Sequence, residues 1–347
     1  MKTKKSTTNA YRDLYKTIED FFAKYLIAER GASSNTIRSY RDTIVLLETF
    51  FDQQLGIRPS KLSLENFTKD NIMKFLKWLE NKGNSASTRN NRCAAIKSLA
   101  RYLTYVDPIH MNQWHNLSAI APKKDVRESV KYITVEAMTK LFESIDLSTA
   151  TGRRDHTILT LLYYTGMRAQ ELVDLTPSCI RKSQPYIIEV LGKGSKKRIV
   201  PIDDDLFRLL ASYMREAKID TPEKNMHPLF FNAWGENLTT AGLTYIIRKH
   251  ATPTRSVNPD LFTINITPHV FRHSRAMHLL ESGVELIYIR DLLGHVSVQT
   301  TEIYARADAR KKREAITKAY SSIGRTEPEQ TSWEKDSKLK AFLKSLC

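Results

Sequence analysis

Residues 267–304 contain side chains that could bind an anion, move a proton and attack as a nucleophile. The candidates are His269, Arg272, His273, His295 and Tyr304. His269 and His273 are four residues apart, a spacing used by helical zinc ligands. Val270, however, occupies the place of the glutamate in a His-Glu-x-x-His motif, which argues against zinc. Each residue alone has an ordinary structural explanation, so any chemistry depends on the whole set.

A second group of candidates comes earlier in the chain. Arg168 and Glu171 are three residues apart, the spacing of a common helical ion pair worth a few tenths of a kcal/mol. Lys193 lies in a Gly-Lys-Gly-Ser connection, where a lysine could equally be a solvated turn residue. Neither signal is specific by itself.

Local signals predict the helix that would carry the first candidates. Thr267 is a suitable N-cap and Pro268 a suitable first helical residue, and Gly283 can end the helix. His269 and Arg272, three residues apart, then share one face.

Similar signals predict the elements that would hold the remaining candidates. Gly294 ends a short helix and delivers His295, and Ser297 can cap the helix that carries Tyr304. Two β-rich runs over residues 186–202 predict a hairpin with Lys193 at its tip.

The rest of the second half is predicted to be mostly helical. Thr134 caps one helix, and a strongly apolar helix over Ile158–Tyr164 stops at Gly166. A loop of uncertain shape is expected from about Thr252 to Ile266.

The first hundred residues predict an all-helical domain. Four amphipathic helices follow one another: one that ends near Gly31, one from about Ser34 to Gln53, one capped by Thr68, and one from about Ser87. From Pro108 to about Val130 the helical periodicity lapses, which predicts a linker.

Composition narrows the class of partner. The 347 residues include 54 Lys+Arg and 38 Asp+Glu, a formal charge of +16, which favours a polyanion such as nucleic acid. There is no apolar run long enough for a bilayer and no apolar stretch after the basic start. Three widely spaced cysteines argue against a disulfide framework and fit a reducing cytosol.

The motifs together resemble the tyrosine recombinase (phage integrase-like) family, and are similar in layout to Xer-type recombinases and mobile-element integrases. The strings are TGMRAQEL, GKGSKKRIVPI, HVFRHSRAMHLL and LLGHVSVQTTEIYA. The resemblance implies a catalytic set made of Arg168, Lys193, His269, Arg272, His295 and Tyr304, with Glu171 orienting its neighbours.

The resemblance also implies an architecture. The fold class is mainly α: an N-terminal four-helix core-binding domain, and a mostly helical catalytic domain with a small antiparallel sheet. The expected ranges are a basic, flexible N-terminus over 1–13, a DNA-clamping domain over 14–107, a linker over 108–130, a catalytic domain over 131–320, and a tail over 321–347. A four-residue apolar stripe in that tail favours docking on a neighbouring protomer.

The implied reaction is cleavage and rejoining of DNA through a 3′-phosphotyrosine and a Holliday junction, without metal, ATP or another cofactor. Arg168, Arg272 and His295 would bind the phosphate, Tyr304 would attack it, His269 would accept the phenol proton, and Lys193 would protonate the leaving oxygen.

The implied partners are double-stranded recombination sites, a homo-tetramer that exchanges tails, and accessory DNA-bending proteins, in the cytoplasm on DNA with no membrane. Candidate DNA contacts are basic side chains of the first domain, the linker and the hairpin: Arg89, Arg92, Lys97, Arg101, Lys123, Lys124, Lys196 and Lys197. For these residues an ordinary solvated surface is the competing interpretation.

Other interpretations stay open. Integration and excision of a mobile element is favoured over Xer-like dimer resolution or inversion. A type IB topoisomerase uses similar groups to relax DNA alone, and a catalytically inactive DNA-binding protein could use the fold without the chemistry.

Overall fold

The computed structural model describes residues 7–124, 130–192, 197–232, 234–294 and 301–307, with side chains from residue 14 to residue 305. Contacts divide the chain into two compact units, residues 1–127 and residues 128–347. Within the described residues, no helix has both the length and the apolar character needed to cross a bilayer.

The first unit is helical throughout. Its α-helices are α1 (Thr7–Asp20), α2 (Ser34–Leu55), α3 (Lys69–Asn81), α4 (Ala86–Val106) and α5 (Met111–Ser118), with a π-helical segment over Phe21–Glu29. Short 3₁₀ turns cover Pro59–Lys61, Leu64–Asn66 and Pro108–His110. The predicted cap is present, since the Thr68 hydroxyl accepts a hydrogen bond from the Asn71 N–H. Ser33 and Ser85 cap α2 and α4 in the same way.

Helix α5 lies inside the segment predicted as a linker. Its residues Trp114 and Leu117 are fully buried in the core of the first unit, together with Ile120. The side-chain amide of Gln113 also donates to the carbonyls of Leu64 and Phe67. The prediction was wrong here because so short a helix has too few turns to show a clear apolar period, and its burial depends on distant residues.

The second unit combines a small sheet with helices. Its elements are α6 (Val135–Glu143), α7 (Ala150–Thr165), α8 (Ala169–Val173), β1 (Ile180–Arg181), β2 (Ile187–Leu191), β3 (Lys197–Pro201), α9 (Asp204–Glu216), α10 (Thr240–Val257), α11 (Pro268–Glu281), α12 (Leu286–Leu293) and α13 (Glu302–Ala307). Further 3₁₀ turns cover Pro177–Cys179, Pro222–Lys224 and Pro259–Leu261. The mainly helical fold class with one small antiparallel sheet is confirmed.

The predicted hairpin is antiparallel, and it gains a third strand that sequence patterns did not indicate. Strand β2 pairs with β3 through Glu189 and Ile199, and with the two-residue β1 on its other side. Side chains alternate along β3, so that Arg198 and Val200 face inward while Ile199 is exposed.

Helix α10 continues into the region predicted as a loop. It passes through Pro253 and ends at Val257. A proline normally weakens a helix interior, but His250 and Thr254 on this helix are buried and hydrogen-bonded, His250 to Asp155 of α7. Tertiary contacts therefore keep the last turns helical.

Candidate active site

Helix α11 presents Arg272 to the interior. The Thr267 hydroxyl caps the helix and Pro268 is its first residue, as predicted. The Arg272 side chain is only 4% exposed. Its Nη1 donates to the Gly166 carbonyl and its Nη2 to the Leu293 carbonyl, both at 2.7 Å. Two of its donors thus hold the guanidinium against the ends of two other helices.

Gly166 permits the close approach between the end of α7 and Leu293 of α12. It ends α7 in the left-handed conformation with φ +59°, and a Cβ there would lie 2.6 Å from a Leu293 methyl carbon. Only glycine meets both demands without strain. The turn also directs the chain into Arg168 and α8.

Glu171 connects Arg168, at the N-cap of its own helix, with Arg198 of the sheet. Its Oε1 accepts from Arg168 Nη1 at 2.7 Å and from Arg198 Nη1 at 2.9 Å. Its Oε2 accepts from the Arg168 backbone N–H and from Arg198 Nη2, both at 2.8 Å. The carboxylate is therefore saturated by donors, and the simple helical ion pair expected from spacing is part of a larger cluster.

Arg198 was not singled out from the sequence. It lies in a run of basic residues, KKR, in which nothing marks one residue as inward-facing until the register of β3 is known. The strand alternation of Arg198 with Val200 is the signal that could have found it.

Tyr304 is fully buried beside α11. Its hydroxyl lies 2.9 Å from Nδ1 of His273, and the His273 ring in turn stacks near His269 with centroids 6.4 Å apart. His273 entered the sequence analysis only as a zinc candidate. Its contact with the tyrosine joins residues 31 positions apart, which no local pattern reveals.

The electrostatics of the cluster favour an added anion. Burial opposes ionisation of Glu171, but hydrogen bonds from Arg198 and from the Arg168 backbone outweigh it and lower the pKa to about 2. Burial, followed by the charge of Arg168, lowers the pKa of Arg272 to about 10. Two guanidinium groups thus bind one carboxylate and a third interacts with it electrostatically, so the excess positive charge is partly desolvated.

The neutral forms of the histidines and tyrosine are favoured in this arrangement. Burial, then the charges of Arg272 and Arg168, lower the pKa of His269. Burial, then His269 and Arg272, lower the pKa of His273 to about 4. Burial raises the pKa of Tyr304, although Arg272 and Arg168 oppose this effect. A neutral phenol therefore fits the buried position.

Three of the predicted site residues, Lys193, Lys196 and His295, lie outside the described residues, as does the Ser297 cap. The tail over 321–347 and residues 1–6 also lie outside them. Residues 7–13, the rest of the N-terminus predicted to be flexible, are helical and form the first turns of α1. Gly294 ends α12 in the left-handed conformation, as predicted for the residue before His295. Among the described residues, no group of three or more histidine, cysteine or acidic side chains is arranged to hold a metal ion.

The basic candidates of the first unit differ in accessibility. Arg89 does not fit a DNA-contacting role, because it is buried and pairs with Glu80 at 3.4 Å. Arg92 donates to Ser39 and Thr43, and Lys97 to the Ile120 carbonyl. The exposed candidates among the described residues are Arg101, Lys123, Lys124 and Lys197.

Comparison with known proteins agrees with the geometry. Residues 131–311 match the model of the phage integrase family, and residues 18–105 match its N-terminal SAM-like domain. The chain belongs to the phage integrase family. By that membership it is a tyrosine-type site-specific recombinase.

Similar proteins carry both recombinase and integrase names. This recombinase is 34% identical over 331 residues to a putative integrase/recombinase, y4rC, of Sinorhizobium fredii, covering 95% of this chain and 97% of that protein. It is 32% identical over 290 residues to the tyrosine recombinase XerD of Listeria monocytogenes serotype 4b, covering 83% and 92%.

Solved structures share the fold. A XerH site-specific recombinase in a post-cleavage complex with palindromic difH substrate has a TM-score of 0.64 at 22% identity, with 90% of each chain covered. The Tn1549 transposon integrase in complex with transposon right end DNA has a TM-score of 0.66 at 16% identity, with 87% of this chain and 99% of that chain covered.

Proposed function

We propose that this recombinase cuts and rejoins DNA strands through a covalent 3′-phosphotyrosine formed by Tyr304. The observation that carries the proposal is an excess of positive charge near Tyr304. Arg168 and Arg198 bind the single carboxylate of Glu171, and the Arg272 guanidinium lies near enough to interact with it electrostatically. A buried cation cluster of this kind is stabilised by a bound phosphate, and the tyrosine supplies a nucleophile within the same unit.

The step balances without a cofactor. The Tyr304 oxygen bonds to phosphorus while the bond from phosphorus to the 5′ oxygen breaks, and the departing 5′ oxygen takes a proton from Lys193. Arg168 and Arg272 bind the non-bridging oxygens, and His295 adds another hydrogen bond. Attack by a 5′-hydroxyl of a second strand reverses the step, so the bond energy is conserved in the phosphotyrosine.

The phenol must become exposed before it attacks. The described position encloses Tyr304 completely, and its hydroxyl is hydrogen-bonded to Nδ1 of His273. With a pKa of about 4, His273 is a weak base. Its contact with Tyr304 therefore holds the neutral phenol in place and does not remove the phenol proton. His269, exposed at one side and close to Arg272, is the proposed proton acceptor.

Covalent trapping tests this reaction. Tyr304→Phe removes the nucleophilic oxygen, so we expect no protein–DNA adduct after incubation with nicked duplex that carries the recombination site, and nearly unchanged DNA binding. Tyr288→Phe, which alters an exposed tyrosine on α12, is the control and should form adduct normally. Adduct formation by the Tyr304→Phe protein would show that another residue attacks.

For biological role, we propose integration and excision of a mobile element. The match to a putative integrase/recombinase over nearly its whole length supports this role, while the match to XerD keeps dimer resolution as the alternative. Relaxation of a supercoiled plasmid without a recombination site would instead favour a type IB topoisomerase.

For assembly, we propose a tetramer on two DNA sites, as in the solved lambda integrase tetramer bound to a Holliday junction. Removal of the chain after Gly324 deletes the apolar stripe of the tail. We expect cooperative assembly on paired sites to weaken more than binding to one half-site, measured by gel shift with half-site and full-site duplexes. Equal effects on both would contradict docking between protomers.

A further inference from the structure

Three arginines from distant parts of the chain approach the carbonyl groups at the C-terminal end of α12. The final four carbonyls of a helix have no partner within it. Here Arg198 Nε donates to Leu292 at 3.1 Å and Arg272 Nη2 to Leu293 at 2.7 Å. Arg168 Nη2 approaches the Gly294 carbonyl at 3.5 Å. Three consecutive carbonyls thus each face a different guanidinium.

Arg198 differs from Arg168 in how its donors are used. Its Nε binds Leu292, and its Nη1 and Nη2 both bind Glu171. The side chain is 12% exposed, whereas that of Arg168 is 35% exposed. Each of the three guanidinium nitrogens of Arg198 therefore has a partner within the protein, whereas Arg168 keeps an accessible side from which to bind a phosphate.

We propose that Arg198 is a positioning residue for cleavage, which holds Glu171 and the end of α12 in one fixed geometry. Through Glu171 it sets the direction of Arg168, and through Leu292 it sets the turn at Gly294 that leads into His295. The inference rests on the proposed function, since it concerns the phosphate site of that reaction.

The chemistry of the site explains why an arginine is required. A guanidinium offers donors in a planar fork that can bind both carboxylate oxygens and a carbonyl together. A lysine keeps the charge but offers one nitrogen at a single point. The approach is close, because a Cβ on Gly294 would lie 2.8 Å from Arg198 Cδ.

The primary test compares Arg198→Lys with a matched control. Arg153 of α7 makes a similar forked pair with both oxygens of Glu216 at the surface of the same unit. Binding and single-turnover adduct formation are measured on the same nicked duplex. Because small misplacements of reacting groups lower rates by about 10²-fold, we expect a loss of about that size in adduct rate for Arg198→Lys, with DNA binding little changed. Arg153→Lys should alter neither quantity.

A double-mutant comparison separates positioning from general stability. If Arg198 acts through Glu171, the loss in Arg198→Lys combined with Glu171→Gln should be smaller than the product of the two single losses. Multiplicative losses would overturn the inference. The inference would also be overturned if Arg198→Lys lowered the melting temperature but left the adduct rate per folded molecule unchanged, measured at 20 °C below the melting temperature. That result would mean that Arg198 has a structural role only.

The two proposals fail in different ways. Equal adduct rates for the unchanged protein and Arg198→Lys would overturn the positioning role and leave the proposed reaction intact. Failure of the unchanged protein to form any adduct with its site would overturn the reaction, and the positioning role with it.

Discussion

At the scale of single residues, burial of His273 against Tyr304 makes the folded state less stable at low pH. The Nδ1 atom of His273 is hydrogen-bonded to the Tyr304 hydroxyl, and it can accept from the phenol only when it is unprotonated. Burial, together with His269 and Arg272, lowers the pKa of His273 to about 4, below its ordinary 6.5. The folded protein therefore binds a proton on this ring less readily than the unfolded chain does.

His273→Asn tests this linkage. Between pH 6.5 and pH 4 the unfolded chain binds more protons at this site, so the folded state loses stability as the pH falls, by at most about 3 kcal/mol. An asparagine amide can supply an acceptor near the position of Nδ1 without titrating. We expect the drop in melting temperature from pH 7 to pH 4.5 to be smaller in the variant, as followed by circular dichroism.

The control for this experiment is His115→Asn, which changes an exposed histidine of α5 and should retain the dependence of the unchanged protein. Glu171 and Asp155 have pKa values of about 2, so loss of their ion pairs occurs at lower pH and does not obscure the comparison. If the melting temperature of the His273→Asn protein fell between pH 7 and pH 4.5 by as much as that of the unchanged protein, the linkage would be contradicted.

Single residues also show what sequence can predict about the site. Arg168, His269, Arg272 and Tyr304 carry a recognisable order and spacing. The roles of Arg198 and His273 depend on partners far away in the chain, Glu171 and Leu292 for one and Tyr304 for the other. Such pairings are set by tertiary packing, which composition and periodicity do not contain.

At the scale of elements, the helix ends were the most predictable features. The caps at Thr68, Thr134 and Thr267 and the stops at Gly166 and Gly294 follow from hydrogen bonding and backbone freedom within a few residues. Helix α5 and the end of α10 were missed because their stability comes from contacts with other elements.

Gly294→Ala tests the end of α12. The residue has φ +65°, and its new Cβ would press on Arg198. Gly56 provides the matched control, since it has φ +66° and open space around its Cα. In both variants, backbone strain should lower the free energy of unfolding by about 1 kcal/mol. We expect Gly294→Ala alone to lose adduct formation as well, measured on the nicked duplex; equal activity in the two variants would contradict the contact with Arg198.

At the scale of the whole molecule, the charge of +16 suits a long polyanionic partner. If about six phosphate contacts form, affinity for the site duplex should fall about 10³-fold between 50 and 200 mM salt. Fluorescence anisotropy with a labelled duplex measures the slope. Tyr304→Phe should give the same slope, because it removes no cation, and a nearly flat response would contradict binding through phosphates.

The order of residues along the chain has a consequence during synthesis. Arg168, Arg198 and Arg272 all meet at carbonyls 292–294, and Tyr304 follows them. A nascent polypeptide emerging from the ribosome therefore cannot assemble the phosphate pocket until this late segment is available. In the proposed reaction, a chain that has not yet reached residues 292–304 therefore has neither an assembled phosphate pocket nor a nucleophile, even if its earlier helices have folded.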